Sequence, residues 1–218
     1  MVLTCISALF IAYEYKKAEG ELQILVLLVN TNNSTGVDTV DMAFVIPMVN
    51  YDAINITPVY PGGMYHPNAT APAELQGSGG TKLLLHDTLW TNDTKKGVKL
   101  AQEIVEYNTG MKTNAVVIMT PIAVKAMIDS VGPLYVEPLG YVNSSSLDSL
   151  INEKNLEKSR GKNLNIVMRT LMETYHNPTK RPALIKAVIY QYLQGNIIPI
   201  PNELFLQLGI ASGINKLV

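Results

Sequence analysis

The chain has one cysteine, three histidines and one tryptophan in 218 residues. A single cysteine, Cys5, excludes an internal disulfide. None of His66, His86 and His176 stands at metal-ligand spacing from another histidine or from the cysteine, which argues against a zinc site. Charged residues make up 16% of the chain and leave a net charge of −1, against about 25% in an average globular protein. With no basic field to grip a phosphate backbone, nucleic acid is excluded as a partner. The strong catalytic signatures are missing too. There is no Walker loop, no G-x-S-x-G elbow and no H-E-x-x-H helix. No repeat or low-complexity tract appears.

What is present begins with an uncharged apolar start, MVLTCISALFIAY over residues 1–13, ended by Glu14, Lys16 and Lys17. Thirteen residues fall short of the roughly 20 that span a bilayer, and no basic n-region precedes them as in a signal peptide. The segment reads either as a buried first helix or as the tail of a membrane anchor. We take the second reading, with residues 1–17 as a partial anchor or signal remnant and 22–218 as one extracytoplasmic domain. Asn-x-Ser/Thr sequons at Asn32, Asn33, Asn55, Asn68, Asn92 and Asn143 point the same way, as acceptors for glycan in an exported protein. Asn55 falls in an expected strand and would be the poorest of them.

Periodicity gives a mixed α/β order. LQILVLLV at residues 22–29 is a continuous apolar run, as in a strand buried on both faces. Residues 40–48 and 53–59 read as a hairpin. Residues 60–80 show no periodicity and read as a long functional loop. Residues 81–90 read as a helix. Residues 95–108 are the clearest helix, with Val98, Ala101, Ile104 and Val105 on one stripe, Asp93 or Thr94 at its start and Gly110 at its end. A strand at 115–119 leads through Thr120 and Pro121 into a helix at 122–130. A strand at 134–137, helices at 147–155, 164–175 and 181–194, a strand at 196–200 and a helix at 203–211 complete the reading. This order predicts an α/β domain whose mixed central β-sheet carries helices on both faces.

Candidate binding residues cluster where strands end. Asp38 and Asp41 bracket the start of the second strand. Carboxylates there suit Mg²⁺, which needs only one or two of them beside a ligand phosphate; the plainer reading is turn aspartates bonded to local amides. The stretch ITPVYPGGMYHPNAT at 56–70 leaves its strand through prolines, adjacent glycines, tyrosines and a histidine. Gly62 and Gly63 let backbone N–H groups approach an anion, with one of them expected at positive φ and the loop expected to border the main pocket. Tyr60, Tyr65 and His66 could supply hydrogen bonds or stack on a sugar; alternatively the aromatics plug the sheet edge. His86 lies among leucines, as a ligand or as a core-edge residue. Arg160 sits in a basic cluster, KSRGK, that could meet a phosphate.

Several of these segments resemble one family. ILVLLV, VDTVDMAFVIPM, YDAINITPVYPGG and KKGVKLAQEIVEYNTGMKTNAVVIMTPIAVKAMIDSVGPLYVE together resemble an uncharacterised archaeal envelope-protein family, distantly similar to the LytR–CpsA–Psr family. The resemblance covers most of residues 22–136. It implies a membrane-anchored, extracytoplasmic domain that transfers glycopolymers from a polyprenyl-pyrophosphate lipid, using Mg²⁺, arginines and a long apolar pocket. Asp41 falls where that family has an aspartate, and Arg160 near its basic segment after the lipid pocket. The chain departs from the pattern after the third strand. There the family carries an arginine and an acid, and this chain reads Pro58-Val59-Tyr60-Pro61-Gly62-Gly63. Without a cation at that point, the resemblance implies a domain that binds a lipid-linked or wall glycan without the standard transferase site. The alternatives are a transferase with cations rearranged to Arg160, Lys82 or Lys162, and a structural surface domain.

Overall fold

The computed structural model describes residues 22–30, 39–49, 52–76, 80–91, 93–152 and 157–204. In chain order the elements are β1 (Leu22–Asn30), β2 (Thr39–Val49), β3 (Asp52–Ala53), β4 (Thr57–Val59), β5 (Tyr65–Thr70), β6 (Lys82–Leu84), α1 (Thr94–Thr109), β7 (Ala115–Met119), α2 (Pro121–Val131), β8 (Leu134–Val136), β9 (Gly140–Val142), α3 (Ser144–Asn152), α4 (Glu157–Tyr175), α5 (Arg181–Leu193) and β10 (Ile197–Ile200). The main sheet has the order β10-β7-β1-β2-β3, with β4 also paired to β2. Among the described strands of this sheet only β1 and β7 pair in parallel; β1–β2, β2–β3, β2–β4 and β7–β10 are antiparallel. The expected mixed α/β sheet, helices on both faces, is the fold observed.

The apolar run of β1 explains its central place. Side chains alternate across a strand, so a strand that is apolar at every position serves two faces. Ile24, Val26 and Leu28 enter one core with α2, α3, α4 and α5 residues such as Ile128, Leu147, Val167 and Leu184. Leu25, Leu27 and Val29 enter a second core with Val98, Ala101, Ile104 and Val105 of α1. Those four are the stripe read from the sequence. The caps of α1 are also the ones read: Asp93 accepts from the Lys96 N–H at 3.0 Å, and Gly110 follows the helix at φ 74°.

Three expectations are corrected. The strand at 53–59 is broken into β3 and β4, because its pairing with β2 shifts register by one residue between Met48↔Ala53 and Val45↔Thr57; Asn55 falls in the break and is exposed. The aperiodic stretch 60–80 is not one long loop. It contains β5, which pairs with β6 as a separate two-stranded ribbon, and prolines and asparagines mask the alternation. The helix at 81–90 is instead β6 followed by a 3₁₀ turn at Leu85–Asp87. Three successive leucines favour a helix locally, but pairing with β5 and burial of Leu83 and Leu85 override that preference. The expected helix at 203–211 lies largely outside the described residues, as do residues 1–17, Asn32, Asn33 and Asn92.

Candidate functional site

Strand directions converge on one end of the sheet. β2 runs against β1 and β4 runs against β2, so β1, β4 and β7 all finish at the end where β2 and β10 begin. Crevices outside the carboxyl ends of strands are where open α/β sheets bind ligands. Ile197, Met119, Leu28 and Met42 form one rung across this end, and all four side chains enter the same core.

Asp41 comes immediately after that rung. Leu28 faces Met42 while Val29 faces Val40, so Asp41 is the extra residue of a β-bulge. A bulge leaves its extra residue without a ladder partner and re-aims it. Asp41 is half-buried. The carbonyl of its neighbour Val40 accepts a hydrogen bond from His86 Nδ1 at 3.0 Å. Because a carbonyl can only accept, Nδ1 carries the proton, and Nε2 of the neutral ring is left as an acceptor. Asp87 follows in the same turn. Burial holds its carboxyl above the ordinary value of 3.8, partly offset by the adjacent His86. The sequence reading singled out His86 but not Asp87; the His-Asp pair just ahead of a capped helix was its only signal.

Tyr60 is exposed at the exit of β4. Pro61 to Met64 then form a tight turn, closed by the Met64 N–H on the Pro61 carbonyl at 3.3 Å, with Gly63 at φ 85°. That is a type II turn, which needs positive φ at its third residue, so Gly63 supplies the expected conformation. A Cβ on Gly62 or Gly63 would meet nothing within 4 Å; no side chain crowds this backbone. The loop does not border one shallow depression that described residues line. That depression, about 360 Å³ and flanked by Tyr192, Leu193, Ile197 and Ile198, lies at the opposite sheet edge beside β10.

His66 is tied into the chain through both ring nitrogens. Nδ1 accepts the N–H groups of Asn68 and Ala69 at 3.1 and 2.8 Å, which places the proton on Nε2 for its bond to Glu103 at 2.9 Å. Arg160 lies on α4, and its side chain is outside the described residues, as is Asp38. On the same helix Arg169 donates from Nη2 to the Ile56 carbonyl at 2.9 Å, fixing the segment that leads into β4. Nothing in the sequence marked Arg169, since its partner lies 113 residues away. At the strand ends, the Thr120 hydroxyl donates to Asn196 Oδ1 at 3.2 Å. Among the described residues, no group of three or more His, Cys, Asp or Glu side chains converges on a metal-sized point.

Residues 19–155, more than half of the chain, match the family model described as protein of unknown function, DUF4012. The chain belongs to the DUF4012 family. Comparison of this DUF4012 sequence with curated proteins finds no match. Solved structures share its fold. TagV of B. subtilis is 14% identical with a TM-score of 0.59, over 89% of this chain and 80% of that one. Protein gbs0355 of Streptococcus agalactiae is 13% identical with a TM-score of 0.57, over 90% and 76%. A structure of TagT bound to LI-WTA is 9% identical with a TM-score of 0.54, over 82% and 68%. TagV and TagT are LytR–CpsA–Psr proteins, so this DUF4012 chain has the fold that its sequence segments resemble.

Proposed function

We propose that the chain is a cell-envelope domain that binds a phosphate-bearing glycopolymer, lipid-linked or in the wall, at the strand ends around Asp41. On this reading residues 1–17 hold it at the extracytoplasmic face of the membrane. Among the described residues, no helix is long and apolar enough to cross a membrane. The observation that carries the reading is the bulge. It sets a half-buried carboxylate at the carboxyl ends of the central strands, in a fold shared with TagT, which has been solved bound to LI-WTA.

Mg²⁺ fits this position in its donor chemistry. Asp41, with Asp38 as the second acid of the pair in the sequence, would hold the ion through hard carboxylate oxygens, which suit Mg²⁺ because it needs only one or two carboxylates beside a ligand phosphate. When bound, it supplies the positive charge that the strand exit lacks. The chain's own groups do the rest. His86 holds the bulged strand through the Val40 carbonyl, Gly63 shapes the turn beside it, and exposed Tyr60 offers a ring for a sugar face. The residues from Pro58 to Gly63 carry no cationic side chain. The two phosphates of a polyprenyl-pyrophosphate donor in a partly dry cleft would need such a partner for transfer, which favours binding over transfer.

Binding of a teichoic-acid-type phosphodiester polymer to the full chain tests the proposal. Affinity should depend on Mg²⁺ and fall at least tenfold in Asp41→Asn, the scale of one charge-assisted contact. Equal binding by wild type, Asp41→Asn and chelator-treated protein refutes it. With a polyprenyl-pyrophosphate-linked polymer supplied as donor together with a hydroxyl acceptor, release of the polyprenyl monophosphate would instead support the transferase alternative.

A further inference from the structure

The β5–β6 ribbon carries a second cluster that the strand-end site does not use. The ribbon is fastened to α1 by His66–Glu103 at 2.9 Å and by Asn108 Nδ2, which donates to the Tyr65 carbonyl at 2.9 Å. Beside this seam the Lys82 ammonium sits 3.6 Å from the centroid of the Tyr65 ring. On the same ring Tyr107 of α1 packs with centroids 6.1 Å apart and planes tilted by 55°. Lys82 is exposed, and Tyr107 is 57% exposed. No ion pair joins Lys82 to a carboxylate among the described residues.

An ammonium over an aromatic face is held in place by the ring quadrupole while its N–H donors stay available. The exposed Tyr107 ring offers an apolar face with a polar tip, a combination that suits sugar C–H surfaces and hydroxyls. A ligand that uses both groups needs an anionic group and a saccharide-like face a few ångströms apart. We propose that Lys82, Tyr65 and Tyr107 form an anionic-saccharide contact site on the β5–β6 ribbon. There Lys82 meets a phosphodiester or carboxylate and Tyr107 stacks on the adjoining unit. The inference rests on the reading of the chain as a glycopolymer binder, and it assigns that polymer a second point of contact.

The test is a binding titration of the full chain with glucosylated poly(glycerol phosphate), polygalacturonate and neutral dextran. Wild type should bind at least one charged polymer and not dextran. Lys82→Gln should weaken that binding roughly tenfold, the scale of a lost charge-assisted bond, and Tyr107→Ala several-fold, while Lys82→Arg retains it. Both residues are exposed, so thermal unfolding of the variants should match wild type and serve as the folding control. Preference for either charged polymer supports the site and names the anion. Dextran binding as tight as either charged polymer overturns the proposal, and so does unchanged affinity in Lys82→Gln. If Asp41→Asn abolishes binding while Lys82→Gln does not, the strand-end site stands and this one falls. If the effects are reversed, this site stands alone.

Discussion

Gly97 of α1 packs directly against the residues that follow the His86-Asp87 turn. A Cβ built there would lie 2.5 Å from the Thr88 carbonyl oxygen, 2.9 Å from Leu89 Cδ2 and 3.4 Å from Leu89 Cα. The Leu89 methyl can rotate away; the carbonyl cannot. Thr88 is fully buried, and both its N–H and its hydroxyl bond to the Leu85 carbonyl. Reaching an ordinary contact of about 3.4 Å means moving helix or turn by roughly 1 Å, and such overpacking costs about 1–3 kcal/mol. Alanine gains about 1 kcal/mol in helix propensity over glycine. The backbone clash belongs at the upper end of its range, so Gly97→Ala should lose about 1–2 kcal/mol net. Urea unfolding measures this as a lower midpoint at unchanged slope. Because the displaced turn holds His86 against Val40, polymer affinity should fall as well. A Gly97→Ala protein as stable as wild type, or more so, would refute the packing argument.

Gly63→Ala should destabilise by about 1–2 kcal/mol, because its φ of 85° is the left-handed region that a Cβ disfavours. Gly62→Ala, open on all sides, should be neutral or slightly stabilising; the same unfolding assay separates the two. Burial raises the Asp87 pKa in the folded state, so ionising it costs more folded than unfolded. That cost is absent below pH 3.8 and grows as pH rises through the folded value. Asp87→Asn should therefore raise the melting temperature near neutral pH, with the gain shrinking as pH falls towards 4. His66→Ala strips the acceptor from two backbone N–H groups and should cost about 1–3 kcal/mol. Glu103→Ala, whose side chain is 42% exposed, should cost under about 1 kcal/mol. Equal losses in the two would contradict the assigned tautomer.

Elements whose signal is local were legible in the sequence. The unbroken apolar run of β1 announced burial on two faces, and Asp93 and Gly110 bounded α1 within a residue or so. The β6 segment was misread because its leucines prefer a helix until β5, more than ten residues upstream, pairs with them. Asp41 stood out as an acid among apolar neighbours. Its place in a bulge did not, since a bulge is a relation between two strands and depends on the register of β1. Lys82 and Tyr65 meet only through tertiary structure, so neither residue type nor spacing pointed to their contact.

The first core has one further consequence for how this family is handled. The matched segment ends at residue 155, yet Leu164, Val167, Met168, Leu171, Leu184 and Ile197 complete the apolar layer over that face of the sheet, and β10 closes the free side of β7. Cutting a gene at the family boundary would leave Ile24, Val26, Phe44 and Ile128 facing water, with a bare strand edge beside them. Such a fragment is a poor choice for expression and would clump before it could be assayed. For this chain the natural unit to produce runs at least to residue 204.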